Sequence, residues 1–346
     1  MNPDQPSQPD QSSRSTEPEA ATMRAVVQAR YGSDPDAVLS VAGTARPSIG
    51  DDEVLVRVAA AGVDMGTWHC MTGVPYAMRL AGFGLRAPKA LNPGRGLAGT
   101  VEAVGRSVRS VEPGDEVYGS GDGSFAELAA VPAGQVARKP WNLTFVQAAA
   151  VPISGSTALQ GVRKAGVRAG QRVLVVGASG GVGSFAVQIA KAKGASVTGV
   201  CSTPKVAFVE ALGADRVIDH TREDFTDGSL EFDVILDIGG GRRLADLRRA
   251  LASRGTLVIV GGETAGRVVG GFGRSLRAAA LSAFVRQTLT PLVSTEQAAE
   301  LDALRGMIES GQVTPAVGRI FPMNEAADAL RHLREGKACG KVVITT

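Results

Sequence analysis

The feature that most constrains this chain is an apolar run that ends in glycines at residues 173–183. The sequence there reads Val-Leu-Val-Val-Gly-Ala-Ser-Gly-Gly-Val-Gly, and neither glycine nor proline interrupts the next ten residues. A short apolar run predicts a buried strand. Glycine permits a tight turn after that strand and lets the following helix pack closely against it. The chain must therefore contain a unit in which a buried strand turns directly into a helix.

The same pattern recurs from residue 170 to residue 260. Apolar strands are predicted at residues 172–176, 196–200, 216–219, 233–237 and 256–260. Helices are predicted between them, at about 182–193, at about 205–212 and up to about 251. Strands that are apolar almost throughout and alternate with helices are typical of a parallel sheet covered on both faces. The fold class is therefore α/β, with a doubly wound parallel sheet.

Residues 23–136 have a different pattern, in which short alternating strands are separated by turn residues. Examples are residues 53–58, 99–104 and 115–118, and Pro-Gly-Asp at 113–115 predicts a tight turn. This half of the chain predicts a β-barrel. A length of 346 residues also favours two domains, because a single core usually stops growing at about 250–300 residues.

Beyond about residue 263 the alternation ends. Paired glycines and four arginines in the next segment predict a mobile basic loop, or simply a solvated charged segment. Ser294 and Gln297 have the spacing of a helix-capping box, and Asn324 is placed to cap a second helix. Residues 341–345 predict a closing strand.

Composition excludes several functional classes. The net charge is only +3, so a nucleic-acid partner is not expected. Three widely spaced cysteines offer neither a disulfide framework nor a four-thiolate zinc site, which favours a reducing, cytoplasmic setting. Residues 1–21 lack Leu, Ile, Val and aromatics and predict a disordered tail rather than a signal peptide. Polar residues within the uncharged stretch 140–162 make a membrane span costly.

The glycine string at 177–183 carries the chemistry. Glycine lets a pyrophosphate approach the backbone closely, and its charge then lies at the positive end of a helix. A simple strand-to-helix turn is the plainer alternative, but the predicted strand and helix supply the context that dinucleotide binding requires. The candidate cofactor-binding residues here are Gly177, Ser179, Gly180, Gly181, Val182 and Gly183.

The tip of the second strand indicates which dinucleotide is bound. NAD-preferring sites place an Asp or Glu about 20 residues after the glycines. This chain has Ser202, Thr203 and Lys205 there, which would hold a 2′-phosphate through hydroxyl donors and a positive charge. NADPH is therefore the expected cofactor. The alternative is that Lys205 is only a solvated residue of the following helix.

Taken together, these motifs resemble the medium-chain dehydrogenase/reductase superfamily, in particular its zinc-independent quinone oxidoreductase-like branch. The resemblance runs from Met23 to the end of the chain. The matching segments are Ala-Ala-Gly-Val-Asp at 60–64, Pro-Gly at 93–94, Gly-Thr-Val at 99–101, Val-Gly at 104–105, Pro-Gly-Asp at 113–115, Ala-Ala-Val-Pro at 149–152, Ala-Ser-Gly-Gly-Val-Gly at 178–183, Leu-Gly-Ala-Asp at 212–215 and Gly-Lys-Val-Val at 340–343.

The resemblance implies a GroES-like β-barrel catalytic domain at 22–142 and a Rossmann dinucleotide-binding domain at 143–285. It implies that residues 286–346 return to complete the catalytic domain, and that the protein forms a homodimer. Zinc-dependent relatives carry ligands where this chain has Asp64, Arg95-Gly96 and Ile153, and the four-cysteine structural lobe is missing. Catalytic zinc takes three donor side chains, so no metal is expected.

The resemblance also implies roles for individual residues. The candidate catalytic residues are Asp64, Thr67 and His69. Asp64 and Thr67 occupy positions whose side chains face the nicotinamide cleft in relatives, and His69 matches the proton-relay histidine of the zinc enzymes. Alternatively, Asp64 is a cap, and Thr67 and His69 are surface residues of a helical turn. Further cofactor-binding candidates implied by the resemblance are Thr157, His220 and Lys341.

The function expected from these observations is the NADPH-dependent transfer of hydride to a quinone or an α,β-unsaturated carbonyl compound without metal. One rival is a secondary alcohol dehydrogenase or carbonyl reductase that uses His69 as proton relay. Another is a protein that binds NADPH as a sensor or scaffold without turnover. The pocket walls are expected to come from residues 69–89 and 263–284.

Overall fold

The computed structural model describes residues 22–261, 266, 268 and 270–346. The tail predicted to be disordered, residues 1–21, lies outside the described residues. So do residues 262–265, 267 and 269 of the predicted basic loop.

The amino-terminal part of the chain forms a two-stranded hairpin and most of a larger, curved sheet. In chain order the strands are β1 (Thr22–Gln28), β2 (Leu39–Ala45), β3 (Glu53–Val63), β4 (Gly96–Val104), β5 (Glu116–Ser120), β6 (Leu128–Pro132) and β7 (Val136–Arg138). Strands β1 and β2 pair with each other, and β3 pairs with both β4 and β6. Val54, Val56 and Val58 of β3 are almost fully buried in the core of this part.

Six strands then form one sheet that is parallel throughout. They are β8 (Arg172–Val176), β9 (Ser196–Cys201), β10 (Arg216–Asp219), β11 (Phe232–Asp237), β12 (Leu251–Ile259) and β13 (Thr288–Pro291). Their spatial order is β10-β9-β8-β11-β12-β13. The strand order therefore reverses between β8 and β11, and open α/β sheets bind ligands at the carboxyl ends of the strands at such a point.

The last strands return to the first part of the chain. They are β14 (Val317–Pro322) and β15 (Lys341–Thr345). Strand β15 lies between β14 and β3 and completes a sheet of seven strands. Six of them follow the order β14-β15-β3-β4-β5-β7, and the seventh, β6, pairs with β3. The fold is therefore the predicted one, a GroES-like barrel with a Rossmann-type parallel sheet.

Ten α-helices in the described residues pack around the two sheets. They are α1 (Pro35–Val38), α2 (Met65–Thr72), α3 (Phe145–Ala149), α4 (Pro152–Lys164), α5 (Gly181–Ala192), α6 (Val206–Ala211), α7 (Leu244–Arg249), α8 (Phe272–Ser282), α9 (Ala298–Glu309) and α10 (Ala326–Arg334). One core of the parallel sheet contains Val173, Val175 and Phe185, and the core on its other face contains Leu174 and Ile235. None of the described helices is long and apolar enough to cross a membrane.

Some of the predictions made from the sequence are wrong in detail. Part of the predicted basic loop is helix α8, and it is followed by strand β13, which has only four residues and one well-buried side chain, Leu289. Such a short strand gives no readable pattern. Strand β13, the last strand of the parallel sheet, lies beyond residue 285, where the dinucleotide-binding domain was expected to end. Helix α9 starts after Gln297 without a capping side chain, and Ser294 instead contacts Thr157.

Asn324 does not cap the last helix either. It lies in a short 3₁₀ turn, Met323–Glu325, and the residue at the start of α10 is Glu325. The capping box present in the structure precedes α3, where Thr144 and Gln147 satisfy each other's backbone N–H groups.

Candidate cofactor and substrate site

The glycine turn lies at the carboxyl end of β8, at the reversal point of the parallel sheet. Gly177 has a φ of 85°, which side chains other than glycine rarely adopt. A Cβ on Gly183 would lie 2.1 Å from the carbonyl oxygen of Gly177, so helix α5 is packed directly against the turn. A Cβ on Gly180 would meet only that same oxygen, at 3.6 Å. The turn is therefore closed on its helix side and open at Gly180.

Helix α5 begins with Gly180 at its cap position and has no side-chain cap. The first backbone N–H groups of a helix and the positive end of its dipole form a site for an anion. Ser179 is buried, and its carbonyl oxygen accepts a hydrogen bond of 2.8 Å from the Gly340 N–H. This bond ties the glycine turn to the segment that enters β15.

Lys341 is the first residue of β15 and is only 3% exposed. Its Nζ donates to the Val63 carbonyl oxygen at 2.9 Å, and its Cδ would lie 2.7 Å from a Cβ on Gly181. Burial lowers the pKa of Lys341, while the nearby Asp64 carboxylate opposes that shift. The lysine stem therefore lines the first turn of α5, with its ammonium group directed towards the start of α2.

Two polar residues at the start of α2 have buried atoms without a hydrogen-bond partner. Asp64 caps the helix through a 3.1 Å bond from the Thr67 N–H to its Oδ1. The other carboxylate oxygen, Oδ2, and the Oγ1 of Thr67 are buried and have no hydrogen bond with the described residues. Thr67 is fully buried and does not line the cleft described below. The buried position of Thr67 therefore does not support a contact between its side chain and the substrate.

His69 has a different environment. Its Nδ1 lies 2.6 Å from the Val74 carbonyl oxygen, which fixes the orientation of the ring. The ring also lines a cleft of about 660 Å³. Of the three catalytic candidates, Asp64, Thr67 and His69, only His69 lies on the wall of this cleft.

The cleft lies between the barrel and the carboxyl end of the parallel sheet. Its barrel wall comes from residues 31–33, helix α2, the segment 74–79 and Arg334. Its other wall comes from the end of β12 and from residues 261–275, in so far as these are described, with Leu292. The walls touch, because the Ala77 N–H donates to the Val268 carbonyl oxygen at 3.0 Å. Both predicted wall segments therefore contribute to the cleft.

The tip of β9 brings together the residues predicted to read the 2′-phosphate. Lys205 Nζ donates to the carbonyl oxygens of Gly336 and Ala338, at 2.6 and 2.7 Å. The lysine therefore also holds the segment that leads to β15. Thr203 Oγ1 donates to Asp219 Oδ2 at 2.5 Å.

Asp219 is the residue that the sequence analysis missed at this site. It ends β10, directly beside Cys201 at the end of β9, so its carboxylate lies at the neighbouring strand tip. Hydrogen bonds from the Thr203 and Thr221 hydroxyls lower the pKa of Asp219 to about 2. The next residue, His220, is exposed, and its backbone N–H bonds to Cys201. The signal was available, because parallel neighbours end at the same sheet edge.

Thr157 lies on α4, away from the tip of β9. Its hydroxyl donates to the Ile153 carbonyl oxygen at 2.7 Å and lies 3.3 Å from the Ser294 hydroxyl. Ser202 precedes the short turn that contains Thr203 and Lys205. The other candidate cofactor residues thus fall into two groups, one around the glycine turn and one at the tip of β9, while the Thr157 hydroxyl contacts neither group.

Two of the positions that correspond to zinc ligands, Gly96 and Ile153, lie next to each other. A Cβ on Gly96 would touch Ile153 Cγ1 at 3.4 Å. Arg95 forms ion pairs with Glu296 at 2.7 Å and Asp122 at 3.1 Å. A cation, a glycine and an isoleucine supply no metal donor, and Asp64 acts as a helix cap, so this set does not fit a catalytic zinc ion. Within the described part of the chain, no three His, Cys, Asp or Glu side chains gather as a metal site.

Comparison with known proteins places this architecture in a family. Residues 50–141 match the family described as alcohol dehydrogenase GroES-like domain, and residues 212–344 match the one described as zinc-binding dehydrogenase. A 2-methylene-furan-3-one reductase from Solanum lycopersicum is 34% identical, covering 93% of this chain and 79% of that protein. The chain belongs to the medium-chain dehydrogenase/reductase superfamily. Within it, the chain is quinone oxidoreductase-like.

Two further proteins support this placement. An NADPH-dependent alkenal/one oxidoreductase from Arabidopsis thaliana is 34% identical over 93% of this chain and 79% of its own length. The structure of a quinone oxidoreductase from Coxiella burnetii is similar with a TM-score of 0.82 and 28% identity, covering 94% of this chain and all of that one. This member of the superfamily is therefore an oxidoreductase that uses a nicotinamide cofactor.

Proposed function

We propose that the protein is an NADPH-dependent reductase of quinones or α,β-unsaturated ketones and aldehydes, and that it works without a metal ion. The observation that carries the proposal is the uncapped, glycine-lined start of α5 at the same sheet edge as the cleft that contains His69. The names of the relatives, an alkenal/one oxidoreductase and a quinone oxidoreductase, support the substrate class.

The choice of NADPH rests on the tip of β9. Ser202, Thr203 and Lys205 supply hydroxyl groups and a positive charge, and the exposed His220 lies beside them. Asp219 adds a negative charge to the same tip. Two threonine hydroxyls hydrogen-bond to it, and Arg222 lies 3.6 Å away, which reduces its repulsion of a phosphate. The cationic groups then favour the phosphorylated cofactor.

The nicotinamide group, when bound, would supply the hydride, which is the difficult step of the reaction. The chain positions the substrate and stabilises the oxygen that gains negative charge. We assign this second role to the protonated form of His69, because its ring lines the cleft and the Val74 carbonyl fixes its orientation. The Val74 carbonyl accepts from Nδ1–H, so Nε2 donates to the substrate oxygen only when the ring is an imidazolium. The proton needed to complete the reduction reaches the substrate from solvent or from this imidazole.

Asp64 and Lys341 support His69 from behind. Asp64 holds the first turn of α2 through the Thr67 N–H, and Lys341 bonds to the carbonyl of the residue before Asp64. These two contacts fix the start of the helix that carries His69. The same lysine packs beside Gly181, so it couples the catalytic wall of the cleft to the glycine turn.

We base the proposal that the enzyme works without a metal ion on the side chains at the three positions where relatives bind zinc. Asp64, Arg95 and Ile153 provide one carboxylate, one cation already paired with two acids, and one hydrocarbon side chain. Activity should therefore persist in a strong chelator, and elemental analysis should find no stoichiometric zinc. About one zinc per chain, with activity lost on chelation, would overturn this part of the proposal.

The test of the function is a panel of quinones, enones, enals and simple ketones, each offered with NADPH and with NADH. Loss of the absorbance of the reduced nicotinamide reports turnover. We expect oxidation of NADPH with quinones or enones and little with simple ketones. Turnover confined to ketones and secondary alcohols, and dependent on His69, would favour an alcohol dehydrogenase. Tight NADPH binding without turnover of any compound would favour a sensor or scaffold.

A further inference from the structure

The cleft carries positive charge that the proposed reaction does not use. Two of the described residues that line it are arginines, Arg79 and Arg334, and none of the described lining residues is an Asp or a Glu. Neither arginine forms an ion pair with an acid in the described part of the chain. Glu335, the neighbour of Arg334 in sequence, pairs with Lys337 at 2.6 Å. A cleft for a neutral quinone or enone has no need of this charge.

Arg79 is held rigidly on the cleft wall. Its guanidinium carbon lies 4.2 Å from the centre of the Tyr31 ring and 4.8 Å from that of Tyr76, so the group is in contact with two aromatic rings. The Tyr31 hydroxyl lies 2.8 Å from the carbonyl oxygens of Phe83 and of Gly84, which fixes that ring. The guanidinium group is therefore in place before any ligand arrives.

Backbone contacts use only part of the donor capacity of Arg79. Its Nε donates to the Gly73 carbonyl oxygen at 2.8 Å and its Nη2 to that of Thr72 at 3.3 Å. These bonds satisfy carbonyls at the end of α2, which is a structural role. A guanidinium group has five N–H donors, so donors remain for a planar anion such as a carboxylate.

The same turn holds Arg79 and His69. The Gly73 carbonyl accepts from Arg79, and the next carbonyl, that of Val74, contacts the His69 ring. Gly73 has a φ of 62°, and a Cβ there would lie 2.6 Å from Tyr31 and 2.7 Å from Arg79 Nε. One tight turn thus positions a cation and an imidazole on one wall. A small substrate with a carbonyl oxygen and an anionic group can meet both.

We propose that Arg79 recognises a carboxylate on the substrate, so that the preferred substrates are α,β-unsaturated carbonyl compounds bearing a carboxylate. This inference rests on the proposed reductase function and narrows its substrate class. In the reaction, the carbon–carbon double bond gains a hydride from NADPH and a proton from solvent or from His69, and NADPH is oxidised to NADP⁺. Arg79 takes no part in the bond changes and determines specificity.

The test compares 4-oxo-2-pentenoate with its methyl ester, which has the same enone without the charge. Arg79→Gln should lower kcat/KM for the acid by about tenfold to a hundredfold, the value of a charge-assisted hydrogen bond, and change that for the ester by less than about threefold. Arg79→Lys should restore part of the loss. The matched control is Arg254→Gln, which removes an exposed arginine of β12 that does not line the cleft.

A binding measurement separates this inference from the proposed function. Calorimetric titration with the saturated acid 4-oxopentanoate should show binding to the wild type and the Arg254→Gln control, and at least tenfold weaker binding to Arg79→Gln. If that holds while neither enone oxidises NADPH, the carboxylate site is supported and the reductase function fails. If Arg79→Gln weakens the acid and the ester equally, or changes neither kinetics nor binding, the role of Arg79 is only structural and the inference is overturned. If Arg79→Gln does not fold, the same comparison is made with Arg79→Lys. A loss of kcat/KM confined to the acid then supports the inference, and an equal loss for the acid and the ester overturns it.

Discussion

Two alanine substitutions within the glycine turn should have different effects, one on the stability of the fold and the other on cofactor binding. A Cβ at Gly183 would lie 2.1 Å from the Gly177 carbonyl oxygen and 2.8 Å from Ala178 Cα, both backbone atoms that cannot rotate away. Relieving the first contact requires a movement of about 1 Å in a packed core, and overpacking of this kind costs about 1–3 kcal/mol. We therefore expect Gly183→Ala to lower the melting temperature by several degrees, at about 2–4 °C per kcal/mol.

Gly180→Ala is the matched substitution. Its Cβ would meet only the Gly177 oxygen at an ordinary 3.6 Å, and its φ of −81° suits alanine, so the melting temperature without cofactor should not fall. A pyrophosphate that approaches the open side of the turn would meet the new methyl group. Loss of one hydrogen bond to a charged group should weaken NADPH binding by about tenfold to a hundredfold.

Thermal unfolding and fluorescence titration with NADPH measure both effects on purified variants. An unchanged affinity in a folded Gly180→Ala protein would mean that the pyrophosphate does not bind at this turn. An unchanged melting temperature in Gly183→Ala would show that the packing argument for this helix is incorrect.

Three other predictions concern separate parts of the site. Lys205→Ala should weaken NADPH binding by about tenfold to a hundredfold and NADH binding much less, since only NADPH offers a 2′-phosphate. Lys205 also bonds to the Gly336 and Ala338 carbonyls, so the dissociation constant of NADH reports any loss that comes from this segment. Equal losses for the two cofactors would show that Lys205 does not read the phosphate. His69→Asn should lower kcat by about 100-fold or more with little change in the dissociation constant of NADPH, because the imidazolium Nε2–H that donates to the developing charge is lost. A wild-type kcat would exclude this role. Burial lowers the pKa of Lys341 below its ordinary value of 10.5. At alkaline pH below 10.5 the unfolded chain therefore binds more protons than the folded chain, and the free energy of unfolding of the wild type should rise with pH. Lys341→Met should lack this gain, and chemical denaturation of both proteins over that range tests it; parallel pH profiles would refute it.

The parallel sheet could be predicted closely because its strands are continuous apolar runs. The predicted bounds of β8 and β10 match the structure, and the predicted closing strand is β15. Strand β13 and helix α8 were missed for a physical reason. Strand β13 has one well-buried side chain, and α8 buries an arginine, Arg274, in an ion pair with Asp237, so neither shows an ordinary apolar face.

The candidate site was predictable where a motif is local in sequence. The glycine turn and Lys205 could be located in this way. Arg79 could not, because its importance depends on a contact with Tyr31, which is far from it in the chain. Asp219 was overlooked, although the pairing of the predicted parallel strands places its carboxylate at the neighbouring strand tip. Thr67 shows the converse, since its place in a motif suggested a substrate contact while its side chain is fully buried. Sequence position indicates which helix carries a residue more reliably than which way the side chain points.

The most direct test of the central claim is to follow the hydride itself. The protein is incubated with NADPH that carries deuterium at the transferable position of the nicotinamide, and with 4-oxo-2-pentenoate methyl ester, whose enone does not depend on the Arg79 site. Mass spectrometry of the saturated ketone measures the label. We expect one deuterium per product molecule, on a carbon of the former double bond, in the presence of chelator. An absence of saturated ketone despite bound NADPH, or a saturated ketone without the label, would contradict it.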